Sequence, residues 1–406
     1  MKKLSLVICI LLCLALTSCG STTEKRSVNV YSWGEYISDG SEGTPDTNAD
    51  FEKYYFETYG EEIEVVYTTY ASNEDMYAKL KSGAAGYDVV VPSDYMIARL
   101  INEGMLEKID FSNIPNYEYI GEGFRGLYYD PTGEYSIPYT YGMVGVIYNT
   151  TVVDEEDTGR WDLLWNPKYA GRILQMNNSR DAFGTAMYKL GIDVNTTDEG
   201  EWRDALEELK LQQPHVQGYV MDEIYNKMES GEASVSAYYA GDFLSMVDNN
   251  CDLGFYYPVN DDAEIVTNLF VDAYCIPKGA ANKDLAEIYI NFMLSEDAAI
   301  ANAEYICYAS PNSAVFESET YIEDMGEDAI AVLYPESFDF SARYNELSYH
   351  NLDAQTLALV NNLWEELKIS SATGEGVYIL AALIVISLAA YWIYHTVIKR
   401  KRAKYY

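Results

Sequence analysis

Through the middle of the chain apolar and polar positions alternate in short runs, while two long apolar stretches stand apart near its ends. Residues 28–31, 63–67, 87–91, 233–239 and 273–277 are rich in β-branched and aromatic side chains and are bounded by turn formers, which predicts strands. Residues 74–81, 95–102, 202–210 and 285–294 repeat their apolar positions every three or four residues, which predicts helices. Strands and helices in alternation predict βαβ units around a mostly parallel sheet. At 406 residues the chain outgrows a single core. Two α/β lobes are expected.

Two local patterns come close to known motifs and fail on a specific residue. In the polar loop 38–48 and beyond, Asp46, Asn48, Asp50 and Glu57 fall at calcium-loop positions, but Phe51 stands where the sharp turn needs glycine. Gly121, Gly123 and Gly126 spell a dinucleotide-type glycine pattern with no strand before it. Neither a metal nor a nucleotide cofactor is expected.

The end segments set the topology. Lys2 and Lys3 precede an apolar stretch, residues 4–16, followed by Leu16-Thr17-Ser18-Cys19, which resembles a lipoprotein processing site. Residues 1–18 are therefore read as a signal peptide, Cys19 as the lipidated residue and 19–27 as a linker. Residues 377–398 carry no Asp, Glu, Lys or Arg. At about 1.5 Å per residue they are long enough to cross a hydrocarbon core of roughly 30 Å. The basic tail 399–406 marks the cytoplasmic side. A transmembrane helix over 377–398, joined to the body by a linker at 370–376, leaves the rest of the chain outside the cell.

Charge and chemistry narrow the function. Of 27 Lys and Arg, two lie in the signal and five in the tail; the remaining 20 face 64 Asp and Glu, about −44 in all. Such a body repels nucleic acid and concentrates cations. Past the signal and Cys19 remain Cys251, Cys275 and Cys307, an odd set without metal spacing, read as small buried residues. The chain has three histidines, His215, His350 and His395, and no zinc, nucleophile-elbow or phosphate-loop motif. Abundant carboxylates beside 39 tyrosines leave three readings open: a receptor for a cationic ligand, a ferric-iron receptor, or a carbohydrate-active enzyme.

Seven colinear segments carry a resemblance. They are Val30-Tyr31-Ser32-Trp33-Gly34-Glu35-Tyr36, the stretch from Thr69 to Leu80, Tyr87-Asp88-Val89-Val90-Val91-Pro92-Ser93-Asp94-Tyr95, Ser136-Ile137-Pro138-Tyr139, Trp165-Asn166-Pro167-Lys168-Tyr169, Asp272 with Ile276-Pro277, and Tyr308-Ala309-Ser310-Pro311-Asn312. Over residues 28–368 the sequence resembles the bacterial spermidine/putrescine-binding proteins of ATP-driven importers. The resemblance implies a two-lobed periplasmic-binding-protein fold (type II) with hinge strands. Residues 28–139 with 271–316 would form lobe 1, and 140–270 with 317–369 lobe 2. It implies no catalysis, a polyamine ligand, and as partners permease subunits with a cytoplasmic ATPase. The expected location is the cell membrane, with the binding body on the extracytoplasmic face.

The same resemblance implies site residues. On lobe 1 it points to Trp33, Glu35, Tyr36, Ser93, Tyr95, Asp272, with Asp272 as the central amine-binding carboxylate, and Tyr308. Elsewhere it points to Asp181, Tyr239 and Phe270. Asn178 stands where spermidine-preferring members place Asp, and His350 where they place Gln. Asp242, with Tyr239 and Phe270, resembles putrescine-preferring relatives. A polyamine is an apolar chain with an ammonium at each end, so spaced carboxylates and aromatic walls are the matching chemistry.

Overall fold

The computed structural model describes residues 25–372 except 84, 85 and 337, together with 387, 391 and 392. The signal peptide, Cys19 and nearly all of 377–398 lie outside the described residues. Among those described, no helix is long and apolar enough to cross a membrane.

Nine strands form a continuous sheet in the order β2-β1-β3-β9-β4-β7-β5-β6, with β8 also paired to β4. They are β1 (Arg26–Trp33), β2 (Ile63–Tyr70), β3 (Val89–Val90), β4 (Ser136–Asn149), β5 (Ile173–Met176), β6 (Val216–Val220), β7 (Val235–Tyr239), β8 (Leu253–Tyr256) and β9 (Leu269–Cys275). The helices are α1 (Thr47–Tyr59), α2 (Asn73–Ser82), α3 (Asp94–Asn102), α4 (Ser179–Leu190), α5 (Glu199–Gln212), α6 (Glu223–Glu229), α7 (Ala240–Asn249), α8 (Lys283–Met293) and α9 (Glu296–Ile306). Short helices α10 (Ser313–Phe316), α11 (Glu319–Met325) and α12 (Glu327–Leu333) lead to α13 (Phe340–Leu347) and α14 (Ala354–Ala372).

At each edge the pairing is parallel, β1 with β2 and β3, and β5 with β6 and β7, as the βαβ alternation predicts. The middle is antiparallel. There β4 pairs with β9 through Met143 and then with β7 from Val144 onward, so one 14-residue strand carries the chain from one half of the sheet to the other. Asp46 caps α1 by accepting from the Ala49 amide, which accounts for the acidic residue at the start of the calcium-like pattern.

Strand β9 is buried over its whole length. Successive side chains point to opposite faces. Leu269, Val271, Ala273 and Cys275 join one apolar cluster, whereas Phe270 and Tyr274 join another with Tyr36, Tyr139 and Tyr308. Asp272 lies between Phe270 and Tyr274 in that alternation, on the tyrosine-rich face. The sequence pattern placed the strand at 273–277, with Asp272 ahead of it. The observed strand begins at Leu269 because strands paired on both sides tolerate unbroken apolar runs, and the single carboxylate does not end this one. A second difference concerns the cysteines: Cys275 is buried and Cys307 partly so, but Cys251 lies exposed in a turn, and all three are free. At the other end α14 runs on through Ala372, into the segment read as a linker.

Candidate ligand-binding site

Asp272 is the centre of the site. It pairs across the sheet with Thr140, and the hydroxyl of Tyr36 reaches both, 2.5 Å from Thr140 Oγ1 and donating to Asp272 Oδ2 at 2.6 Å. Asp272 Oδ1 is buried and has no partner. Removal from water pushes this carboxyl up to about 6, with Ser93 and Tyr36 opposing the shift. Ser93 forms an isolated bridge to Asp272 and accepts from Asn73 Nδ2 at 3.1 Å. The same amide donates to Tyr95 Oη at 3.1 Å.

How Tyr36 arrives depends on the turn after β1. Glu35 adopts φ 48°, a left-handed conformation that reverses the chain. Glu35 consequently faces solvent, while Tyr36 turns beneath the sheet and is buried. The structure does not bring Glu35 to the buried cluster. Trp33 closes that side; its ring lies 4.7 Å from Tyr70, and its indole N–H is buried without a partner.

From the other half of the sheet come Asp181, Tyr239 and Phe270. Asn178 caps α4 by accepting from the Arg180 and Asp181 amides, so Asp181 sits in the first helical turn. Its Oδ2 accepts from Tyr239 Oη at 3.1 Å. Burial raises the carboxyl to about 6, opposed by Tyr239 and the neighbouring Arg180. Gly184 lets Tyr349 approach α4: a Cβ there would lie 2.0 Å from the Tyr349 hydroxyl. The Tyr239 ring is 5.4 Å from Phe270, Phe270 is 6.0 Å from Tyr308, and Tyr308 is 5.6 Å from Tyr36. These four rings form a continuous aromatic wall beside Asp272.

Asp242 is present but committed. Tyr225 donates to its Oδ1, and Tyr308 donates to its Oδ2 at 2.5 Å. Burial again raises this carboxyl to about 6. His350 packs against Tyr128 in a tilted arrangement, ring centroids 4.0 Å apart, with its Nε2 buried and unpartnered, and its backbone N–H bonds to Asn195. Its pKa is lowered by burial.

Sequence reasoning missed Asp94, Asn73 and Glu74. Asp94 is 1% exposed and is pushed up to about 7, chiefly by burial and further by the charge of Asp272. Tyr344 Oη donates to it at 2.6 Å, and the Val271 amide at 3.2 Å. All three residues lie within the quoted resemblance segments, but a first-turn acid and a polar helix start are common and carry no signal of their own.

Among the described residues no Lys, Arg or His forms an ion pair with Asp94, Asp181, Asp242 or Asp272; the pairs lie elsewhere, as in Arg26–Asp284, Lys168–Asp157 and Lys189–Glu208. Unpaired buried carboxylates cost several kcal/mol each. Asp272, with a buried oxygen that no donor reaches and aromatic faces beside it, is the carboxylate left open to a cation.

A profile for bacterial extracellular solute-binding proteins matches residues 49–326. The chain belongs to the bacterial extracellular solute-binding proteins. Within this family it is similar to the spermidine/putrescine-binding periplasmic protein of Escherichia coli K12, at 34% identity over 73% of this chain and 81% of that one. It is also similar to the spermidine/putrescine ABC transporter substrate-binding protein of Streptococcus pneumoniae, at 29% identity and TM-score 0.69 over 86% and 100% of the two chains. It is similar too to the Tp0655 (TpPotD) lipoprotein of Treponema pallidum, at 28% identity and TM-score 0.68 over 84% and 99% of the two chains.

Proposed function

We infer that this solute-binding protein captures polyamines, putrescine or spermidine, and delivers them to an ABC permease, without catalysing a reaction. The observation that carries the reading is Asp272, whose Oδ1 has no protein partner although it is buried among aromatic rings. An ammonium supplies the missing partner, and its methylene chain lies against Trp33, Tyr36, Tyr239, Phe270 and Tyr308. Each ammonium–carboxylate pair at 4 Å gains about 4 kcal/mol at an effective dielectric near 20, before desolvation. Rings add roughly 0.5 to 2 kcal/mol each. Since micromolar affinity needs about 8 kcal/mol, two paired carboxylates and a few rings suffice after association costs.

In this reading Ser93, Tyr95, Asp181 and Asn178 line the cleft, and His350 and Asp242 bear on ligand length. Residues 28–139 with 271–316 and 140–270 with 317–369 close on the ligand about β4 and β9, the strands shared by both halves of the sheet. The test is a titration of the full-length protein with putrescine and spermidine, read as heat and as contraction in small-angle scattering. Folded protein that gives neither signal with either amine removes the proposal.

We also propose that the body stands on the extracytoplasmic face of the cell membrane, held by a lipid on Cys19 and by residues 377–398. The uncharged run is the support, and Tyr391 and Trp392 within it are exposed at 66% and 69%. Cys19→Ala and deletion of 377–406 are each expected to leave the protein in the membrane fraction, and both together to release it. Release by either change alone counts against two anchors.

A further inference from the structure

Charge along the cleft singles out Glu74. At its end of the site Asp181 is not alone. The next residue, Arg180, is only 6% exposed. Its guanidinium faces the Tyr349 ring at 4.7 Å, gives Nη2 to Asn195 at 3.2 Å and leaves Nη1 buried without a partner. Arg180 draws the Asp181 carboxyl down against burial, so the two residues together are close to neutral. Asn178, a neutral amide, adds no charge, and its carbonyl is spent on capping α4. With Arg180 beside it, Asp181 alone attracts an ammonium only weakly.

Glu74 supplies the missing charge from the facing helix. It lies in the first turn of α2 and is exposed. Its Oε1 accepts from Tyr95 Oη at 3.2 Å, and Asn73 holds the same hydroxyl in place. Among the described residues no Lys or Arg pairs with it. Its charge reaches Asp181 and pushes that carboxyl up. At the inner end Asp272 holds its unpaired Oδ1 for another amine.

We infer that Glu74 is a specificity-determining residue: with Asp181 and the Tyr95 hydroxyl it receives the outermost ammonium of a triamine, whereas a diamine is held by the inner carboxylates without it. The inference rests on the polyamine reading above.

The test compares spermidine with putrescine by calorimetry on the full-length protein. Glu74→Gln is expected to lower spermidine affinity about fivefold to tenfold and putrescine affinity less than about twofold, with the ligand-free thermal midpoint unchanged. Adding Asn178→Asp to Glu74→Gln is expected to restore spermidine binding. Aspartate keeps the helix cap and returns a carboxylate to the same end. An unchanged ratio between the two amines, an equal loss of both, or failure of the second substitution to restore binding would each overturn the role of Glu74. Wild-type protein that binds neither amine would instead remove the polyamine reading itself.

Discussion

Asp272→Asn is expected to weaken diamine and triamine binding by more than tenfold while leaving the thermal midpoint of the ligand-free protein nearly unchanged. The asymmetry follows from what each oxygen does. Oδ2 accepts from Tyr36, and an amide carbonyl in its place still accepts; Oδ1 has no partner in the protein, so folding loses little when its charge is removed. For the ligand the change is severe. Breaking a buried, hydrogen-bonded charge pair costs about 2 to 5 kcal/mol, because the ammonium is left desolvated and the asparagine NH2 is turned toward it. Calorimetry gives the affinity and a thermal melt the stability. An equal loss of both would identify Asp272 as a structural residue and sink the assignment.

Acidification from pH 7.5 to 5 is expected to weaken spermidine binding about 100-fold, with protons released on binding near pH 6. Asp272, Asp181 and Asp242 are all held up to about 6 by burial. At pH 7.5 all three are ionised, and Asp272 and Asp181 are open to an ammonium; one unit below their pKa each is about nine-tenths protonated, roughly a tenfold loss for each carboxylate that must ionise to bind. Two such carboxylates give the expected factor. The amines, like lysine with an ordinary value near 10.4, stay charged throughout. Stability without ligand has the opposite sign. These carboxyls ionise less readily in the folded protein than in the unfolded chain, where the ordinary value is about 3.9. Their contribution therefore favours the fold as pH falls from about 6 toward 4. The thermal shift caused by spermidine should thus shrink on acidification. Titrations in buffers of differing ionisation enthalpy count the protons, and equal affinities at the two pH values would show that these acids do not meet the ligand.

Asp94 sharpens this chemistry without facing the ligand. It is bonded to Tyr344, to the Val271 amide and to the Tyr95 amide, so its oxygens are occupied by the protein. It joins the strand that carries Asp272 to α13, and its closeness to Asp272 raises its own pKa. Asp242 is likewise saturated, by Tyr225 and Tyr308. Among Asp94, Asp181, Asp242 and Asp272, then, Asp272 is the one whose orphan oxygen marks it for an amine.

Much of this was legible in the chain. The alternation of short strands and helices points to an α/β protein, and the segments around Trp33, Tyr36 and Asp272 point to a cationic ligand through the family resemblance they carry. Glu35 misled because a turn decides its direction: at φ 48° the backbone sends it outward and its neighbour inward. Asn73 and Glu74 stayed hidden because their importance comes from Tyr95, 21 or 22 residues on.

By itself the sequence determined the strand and helix alternation, the acidic balance of the body and the uncharged run at 377–398. Each of these is a property of neighbouring residues and of hydrophobicity summed over a window. Only the tertiary structure decided which acids lose their water and which oxygen is left without a donor. Asp272 meets Tyr36 across 236 positions, and Asp94 meets Tyr344 across 250. Burial and hydrogen bonding at such separations are set by how β4 and β9 draw the two halves of the sheet together, and no local pattern encodes that distance.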